Sequence, residues 1–96
     1  MIEVYYGMIV QLAFGWEPQG FMFCHGQAMN VNQNPALYSL LGNTFGGSGA
    51  TTFNLPDLRV KKADGTYYRH GEKMSNGLPY LESYICVSDG LYPSRP

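Results

Sequence analysis

Apolar residues gather in short runs along the chain, and the first two runs predict a pair of strands. The stretch "YYGMIVQLAF" is mostly apolar over about residues 6–14, a pattern typical of a strand covered on both faces. "GWEPQG" then predicts a turn, because Pro18 presets φ and Gly20 tolerates positive φ. "FMFCHGQAM" follows as a second short strand that ends near Gly26. The chain is therefore expected to open as strand, turn, strand.

The segment "NVNQNPALYSLLGN" predicts the only helix. Asn32 or Asn34 can cap its start, Pro35 is tolerated in the first turn, and Gly42 supplies the terminating position. The apolar face consists of Leu37, Leu40 and Leu41. Two turns of helix are unstable alone in water, so this face must pack on the sheet. We expect Leu40→Asp to unfold the domain.

The stretch "TTFNLPDLRV" predicts a rigid bend rather than a strand. Leu55 is driven into an extended conformation by Pro56, which has no amide hydrogen to donate within a central strand. Asp57 can accept a hydrogen bond from the amide of Arg59 in an Asx turn. We call residues 55–59 the elbow. Its predicted apolar anchors are Phe53, Leu55 and Leu58.

The last third of the chain predicts a hairpin and a closing strand. "KKADGTYYR" carries Asp64-Gly65, which suits a primed two-residue turn. The basic residues in or beside this hairpin are Arg59, Lys61, Lys62, Arg69 and Lys73. They form either a solvated face or a contact for an acidic partner, and alternation places Lys61 and Lys62 on opposite faces. The run from Tyr84 to Val87 is β-favouring and is expected to pair with the first strand, before a turn at Asp89-Gly90.

Together these elements predict an α+β fold in a single domain over residues 1–96: a small antiparallel β framework with one short helix and long structured loops.

Composition favours a subunit that assembles. Charged residues make up 14% of the chain, against roughly 25% in ordinary soluble domains, while tyrosine occurs 8 times and glycine 12 times. Tyrosines in a charge-poor domain either cover a surface shared between copies or fill a small β core. The net charge of −1 argues against a nucleic-acid binder. No apolar run reaches the roughly 20 residues that span a bilayer, and no basic segment precedes the first apolar run, so we expect synthesis in a cytoplasm without a signal peptide.

Candidate catalytic and metal-binding residues are few and poorly spaced. Cys24 and His25 are neighbours that would point to opposite faces of a strand, while His70 and Cys86 show no ligand spacing. We therefore expect no metal, no cofactor and no catalysis, and a thiol enzyme only if the fold joins a cysteine to His70. Both cysteines fit small buried hydrophobic residues, although a single bridge between them stays open. The glycines of "NTFGGSGATTF" predict a connector, since no Gly-Lys-Ser/Thr sequence follows them.

Several motifs in order resemble the phage tail collar domain, found in short tail fibres of tailed phages. The matching residues are Pro18 and Gly20 of the turn, Cys24, Gly26 and Gln27, Leu41 and Gly42 at the helix end, the Thr-Phe-Gly-Gly of residues 44–47, and Leu55, Pro56, Asp57, Leu58 and Arg59 of the elbow. The closing segment "PYLESYICVSDGLYPSRP" is also similar, so nearly the whole chain is covered. Phe21 stands where the family usually has Trp, and Val60 where it usually has Gly.

The resemblance implies a structural virion protein of the tail, baseplate or fibre collar. It implies a homotrimer that contacts other tail or baseplate proteins. The family commonly carries a long insertion after the elbow that can become a receptor-binding head, whereas this chain has only "VKKADGTYYRHGEKMSNGL" there. The alternative function is adhesion to a carbohydrate or host surface, in which Tyr67, Tyr68 and Trp16 would stack on sugar rings.

Overall fold

The structure, a computed structural model, describes residues 4–93 and forms two small antiparallel sheets with one short helix. The elements are β1 (Ile9–Gln11), β2 (Phe21–Phe23), β3 (Ala28–Asn30), α1 (Pro35–Leu41), β4 (Thr52–Asn54) and β5 (Ser83–Cys86). Each strand has only three or four residues, so turns and loops make up most of the described chain. The predicted fold class, a small antiparallel β framework with one helix, is confirmed.

The last strand in the sequence is the central strand of the larger sheet. Its strand order is β1-β5-β2, with β5 antiparallel to both neighbours. Every residue of β5 is buried. The prediction that the closing run pairs with the first strand is confirmed by the register, which sets Val10 opposite Tyr84.

The two ends of the described chain also meet. The Tyr6 amide donates to the Leu91 carbonyl at 2.9 Å, and the Leu91 amide donates to the Val4 carbonyl at 2.8 Å. These hydrogen bonds belong to a parallel bridge between Tyr5 and Leu91, which is separate from the antiparallel pairing of β1 with β5. The described chain thus closes on itself, as expected from the sequence.

The first strand is shorter and more exposed than predicted. It covers three residues rather than residues 6–14, and Ile9 is 43% exposed. The prediction of a strand covered on both faces is wrong, because β1 lies at the edge of a sheet that is itself only three strands wide.

The second sheet joins β3 to β4, with Met29 opposite Phe53. The sequence predicted a strand ending near Gly26, no further strand before the helix, and a bend rather than a strand in residues 51–60, so β3 and β4 were both missed. For β3, the reason is that it exposes Ala28 and Asn30 and places only Met29 inward, which leaves no apolar run to recognise.

The core lies between the two sheets and the helix. It consists of the buried residues Cys24, Leu37, Phe53, Leu55 and Ile85. Leu41 and Tyr38 pack against this cluster from the helix, whereas Leu40 is half-buried and outside it. Of the three predicted leucines, Leu37 has no exposed surface and is the most deeply buried. Unfolding by Leu40→Asp stays a prediction.

The helix begins and ends at the predicted residues, but its start differs in detail. Asn34 is the N-cap residue, yet its side chain makes no capping hydrogen bond and instead donates to the Asn30 carbonyl at 3.0 Å. At the other end Gly42 has a φ of +56°, and its amide donates to the Tyr38 carbonyl at 2.7 Å.

The hairpin of residues 61–67 forms, with a different turn from the one predicted. The Gly65 amide donates to the Lys62 carbonyl at 3.0 Å, and Gly65 has a φ of +90°. The central residues of this turn, Ala63 and Asp64, are not among the described residues with positive φ. The turn is therefore of neither primed type, since both need positive φ at the first central residue. The Asp64 side chain favours this conformation. Its carboxylate accepts hydrogen bonds from the amide and hydroxyl of Thr66, at 3.0 and 2.7 Å.

Candidate functional site

The segment Cys24–Gln27 forms a tight turn that the side chain of Gln27 closes. Its Nε2 donates to the Phe23 carbonyl at 2.8 Å, and its Oε1 accepts a hydrogen bond from the His25 amide at 3.1 Å. Gly26 has a φ of +75°, a conformation that side chains disfavour. The glycine and the glutamine of the Cys-x-Gly-Gln motif therefore act on one turn, which we call the 24–27 turn.

The elbow packs directly on this turn. Three backbone hydrogen bonds join them: Leu55 N to Gln27 O at 3.0 Å, Gly26 N to Pro56 O at 3.2 Å, and Leu58 N to Cys24 O at 2.9 Å. Leu55 and Pro56 are buried, as an anchor should be, whereas Leu58 is 43% exposed. The prediction that Leu58 is an apolar anchor is wrong, because only its backbone points toward the turn. We call the 24–27 turn and the elbow together the elbow junction.

Asp57 holds the elbow in shape through Arg59. The Arg59 amide donates to Asp57 Oδ1 at 3.2 Å, which confirms the predicted Asx turn. The guanidinium adds two hydrogen bonds to the same carboxylate, at 2.9 and 2.8 Å, and one to the His25 carbonyl at 3.0 Å. The hydrogen bonds from Arg59 lower the pKa of Asp57 to about 2, and Asp57 in turn raises the pKa of Arg59. The guanidinium carbon also lies 4.0 Å from the centroid of the Tyr67 ring.

A buried carboxylate connects the junction to the start of β5. Glu82 is only 8% exposed, and its Oε2 lies 2.6 Å from His25 Nε2. The imidazole of His25 stacks on Phe23 with 4.8 Å between ring centroids. Burial, followed by the neighbouring Glu82, raises the pKa of Tyr80 to about 12. His25 thus provides a hydrogen-bonding partner for the Glu82 carboxylate, whose charge would be unfavourable in a buried position without one.

The turn at Pro18 rests on the far end of β5. The Phe21 amide donates to the Pro18 carbonyl at 3.0 Å, and Gly20 has a φ of +86°. A Cβ atom on Gly20 would lie 2.8 Å from the Ser88 carbonyl oxygen. The Val87 amide donates to the Gly20 carbonyl at 2.8 Å, so glycine allows a close backbone contact at this point.

The cysteines lie apart from any nucleophilic arrangement. Cys24 and Cys86 are buried free thiols, so the bridge left open by the sequence is not formed. Burial raises the pKa of Cys24 to about 11, which keeps the thiol protonated. Both ring nitrogens of His70 contact backbone atoms, Ala13 O and Glu82 N, rather than a thiol. Within residues 4–93, no three His, Cys, Asp or Glu side chains are grouped to hold a metal ion.

The three aromatic residues proposed for surface binding differ in exposure. Trp16 is 62% exposed and stacks on Phe14 with ring centroids 4.3 Å apart. Tyr67 and Tyr68 are half-buried, the first beneath Arg59 and the second 6.4 Å from the ring of Tyr80. The three rings therefore do not form one exposed aromatic surface, and Trp16 is the most exposed of the three.

The basic residues of the hairpin are divided between its two sides. Lys61 Nζ lies 5.6 Å from the Tyr67 ring, and Lys62 Nζ lies 5.5 Å from the Tyr68 ring. Lys62 is also paired with Glu72. The predicted separation of the two lysines is confirmed, and two of the five basic side chains are already occupied by carboxylates within the chain.

An apolar groove beside the elbow was not found by sequence reasoning. It has a volume of about 240 Å³, and the described residues that line it carry no charge. Three of them are strongly exposed: Leu58 at 43%, Val60 at 42% and Leu78 at 61%. Leu78 lies in a stretch without β or helical periodicity, so the pattern of the sequence gave no signal for it.

Two small antiparallel sheets, one short helix and an elbow that locks onto a tight turn define a small β-rich structural module. The sequence motifs of the 24–27 turn and the elbow indicate the family of this module. The chain belongs to the phage tail collar domain family, whose model matches residues 7–62. This is a structural family, typically non-enzymatic, and membership implies a place in a phage tail. No curated protein matches the chain.

The matched segment holds every motif residue named from the sequence, from Pro18 to Arg59. It ends before β5, although β5 is the central strand of the larger sheet. The folded unit therefore continues beyond the matched segment. Across the described residues, no helix has the length and apolar character that crossing a membrane requires.

Proposed function

We propose that the protein is a structural subunit of a tailed-phage or prophage-derived particle, located in the tail, baseplate or fibre collar, and that it assembles as a homo-oligomer. The observation that carries the proposal is the family match over residues 7–62. The contacts of the elbow junction support it. The motif residues hold one loop against another through backbone hydrogen bonds, which is how a scaffold keeps its shape.

The surface supports assembly. Leu58, Val60 and Leu78 expose apolar side chains around the apolar groove, and contiguous apolar surface of this kind marks interaction sites. Ile9 is also exposed, on the edge strand β1. The sequence of this strand, Ile-Val-Gln, contains no lysine or proline, the residues that commonly protect an edge strand from pairing with another chain. Further copies of this chain, as the trimer of the family resemblance, and other tail or baseplate proteins are the proposed partners.

Mass spectrometry of purified particles tests the location. We expect peptides of this chain to co-purify with intact particles through a density gradient, at a constant ratio to the other tail proteins. A chain that is abundant in the lysate and absent from washed particles would overturn the structural role.

A second candidate function is adhesion to a carbohydrate, which the exposure of Trp16 and its stacking on Phe14 favour. Aromatic faces of this kind bind the apolar faces of sugar rings. On a glycan array, adhesion predicts binding that Trp16→Ala abolishes while the oligomeric state is kept. Tyr67→Ala is the matched control, because Arg59 covers that ring and its loss should leave glycan binding unchanged. Binding that survives Trp16→Ala would exclude this site.

A further inference from the structure

The imidazole of His70 connects two backbone groups of opposite hydrogen-bonding character. Its Nδ1 lies 3.0 Å from the amide nitrogen of Glu82, and its Nε2 lies 2.7 Å from the carbonyl oxygen of Ala13. A backbone amide can only donate and a carbonyl oxygen can only accept. Nδ1 must therefore carry a lone pair and Nε2 the proton. The contacts select the neutral imidazole and one of its two tautomers.

His70 fastens the loop of residues 13–16 to the residue before β5. The loop backbone lies directly against the ring, since a Cβ atom on Gly15 would be 3.1 Å from the ring carbons. A second bond holds the same loop, from the Tyr84 hydroxyl to the Phe14 carbonyl at 2.6 Å. The loop carries Trp16 and its stacked partner Phe14.

We propose that His70 is a proton-sensitive clamp that holds the 13–16 loop at neutral pH and releases it on acidification. A proton taken from solvent binds Nδ1, the only ring nitrogen with a free lone pair. The new N–H then faces the N–H of Glu82, so an attractive contact becomes a repulsive one. The protonated ring still donates from Nε2 to the Ala13 carbonyl. It no longer accepts from the Glu82 amide, so the loop loses one of the two side-chain links that join it to β5 and the residue before it.

The charged groups around His70 do not compensate for this change. The carboxylate of Glu82 is directed to His25, 2.6 Å away, rather than to His70. Loop residues 13–16 carry no titratable side chain, and Glu17, the next residue, accepts a hydrogen bond from the Phe23 amide at 2.7 Å.

On the remaining sides, the neighbours are already engaged or remain neutral. In the segment of His70 itself, Glu72 pairs with Lys62 and accepts a hydrogen bond from the Arg69 amide at 3.0 Å. Tyr84 keeps its hydroxyl proton, because burial raises its pKa. The second histidine, His25, is paired with Glu82.

The direction of the pH dependence follows from these contacts. The closed loop requires neutral His70, whereas the released loop accepts either form, so protons favour release. Histidine side chains change charge between about pH 5 and 8. The clamp is therefore closed while the ring is neutral and opens as the pH falls.

The first experiment determines the tautomer of the wild-type chain. Nitrogen-15 chemical shifts of the imidazole at about pH 8 should show a protonated Nε2 and an unprotonated Nδ1 at His70. A protonated Nδ1 in the folded protein would overturn the proposal without any variant.

The second experiment follows release of the loop. Trp16 is the single tryptophan of the chain, so acrylamide quenching of its fluorescence reports this loop alone. We expect quenching to rise, and hydrogen-exchange protection of the Glu82 amide to fall, as the pH decreases from about 8 to about 5. Both changes should follow the titration of the His70 ring, while far-UV circular dichroism stays constant.

Two variants and a control complete the design. His70→Gln keeps a donor for the Ala13 carbonyl, and His70→Asn keeps an acceptor for the Glu82 amide. Neither side chain titrates, so the pH-dependent change in quenching should vanish in both variants. His25→Gln removes the other histidine and should retain it. A titration that persists in both His70 variants, or disappears in His25→Gln, would refute the clamp.

Discussion

Gly20 and Gly77 have almost the same backbone conformation, with φ of +86° and +85°, but very different surroundings. A Cβ atom on Gly20 would lie 2.8 Å from a backbone oxygen, while one on Gly77 would meet nothing within 4 Å. We expect Gly77→Ala to cost about 1–2 kcal/mol of unfolding free energy, the penalty of the left-handed conformation alone. Gly20→Ala should cost about 1–3 kcal/mol more, because the carbonyl of Ser88 cannot move aside easily.

Urea denaturation of both variants measures this difference directly. Equal losses for the two alanines would show that the turn at Pro18 does not depend on close contact with the end of β5.

The Asp57–Arg59 pair predicts a component of stability that is lost in acid. The pKa of Asp57 falls from an ordinary 3.8 to about 2 in the folded protein. A carboxylate with a lowered pKa stabilises the folded state above its unfolded pKa and loses that contribution as the pH falls through the folded value. We expect this part of the unfolding free energy to disappear between about pH 4 and 2, and to be small, since the carboxylate side chain is 40% exposed.

Asp57→Asn is the matched variant, since the amide keeps the shape of the side chain without its titration. Its unfolding free energy should change less with pH over the same range. Identical pH profiles for the variant and the wild type would show that the Asp57–Arg59 pair makes no such contribution to the unfolding free energy.

Residues whose partners are close in sequence were predicted well. The Asx turn joins residues 57 and 59, and the positive φ of Gly20 follows from a four-residue turn, so local chemistry was sufficient. The contacts of His25 with Glu82 and of His70 with Ala13 each span 57 positions. A pattern of neighbouring residues cannot predict a contact between residues so far apart in the sequence, so only the folded structure shows these two contacts.

At the scale of the element, the helix depends on one leucine more than on the others. Leu37 has no exposed surface, whereas Leu40 is half-buried at the edge of the core. We expect Leu37→Ala to cost about 2–5 kcal/mol, through lost burial and the cavity that it leaves. Leu40→Ala removes the same atoms from a half-exposed position and should cost about 1 kcal/mol.

Thermal or urea unfolding of the two alanine variants separates them. If Leu40→Ala proved as costly as Leu37→Ala, the helix would have to pack on the sheets with a different face.

Element boundaries show where the periodicity of the sequence stops being informative. The helix was placed correctly because Pro35 and Gly42 delimit it. β3 and β4 were missed and β1 was predicted too long, since strands of three residues are determined by their neighbours rather than by their own pattern. The hairpin at Asp64 was found, but its turn type depended on hydrogen bonds to Thr66 that a dipeptide rule does not include.

At the scale of the whole molecule, the fold class could be predicted and the surface could not. Apolar runs and turn signals were sufficient to predict a small antiparallel framework with one helix. The apolar groove combines Leu58 from the elbow with Leu78, twenty positions further along the chain, and only the folded chain brings them together. The sequence therefore predicted only part of the candidate site. It identified the motif residues but not the exposed apolar surface beside them.

The proposed assembly makes this groove the most informative place to mutate. Leu78 is 61% exposed, so an aspartate there does not disturb the core, but it does place a charge in any interface that covers the groove. Phe45 is 47% exposed and does not line the groove, which makes Phe45→Asp the matched control.

Native mass spectrometry of the full chain, alone and with each of these substitutions, is the most direct test of a subunit that assembles with its own copies. The account predicts a discrete homo-oligomer for the wild type and for Phe45→Asp, and a folded monomer for Leu78→Asp. A wild-type chain that stays monomeric at high concentration, or an oligomer indifferent to Leu78→Asp, would contradict it.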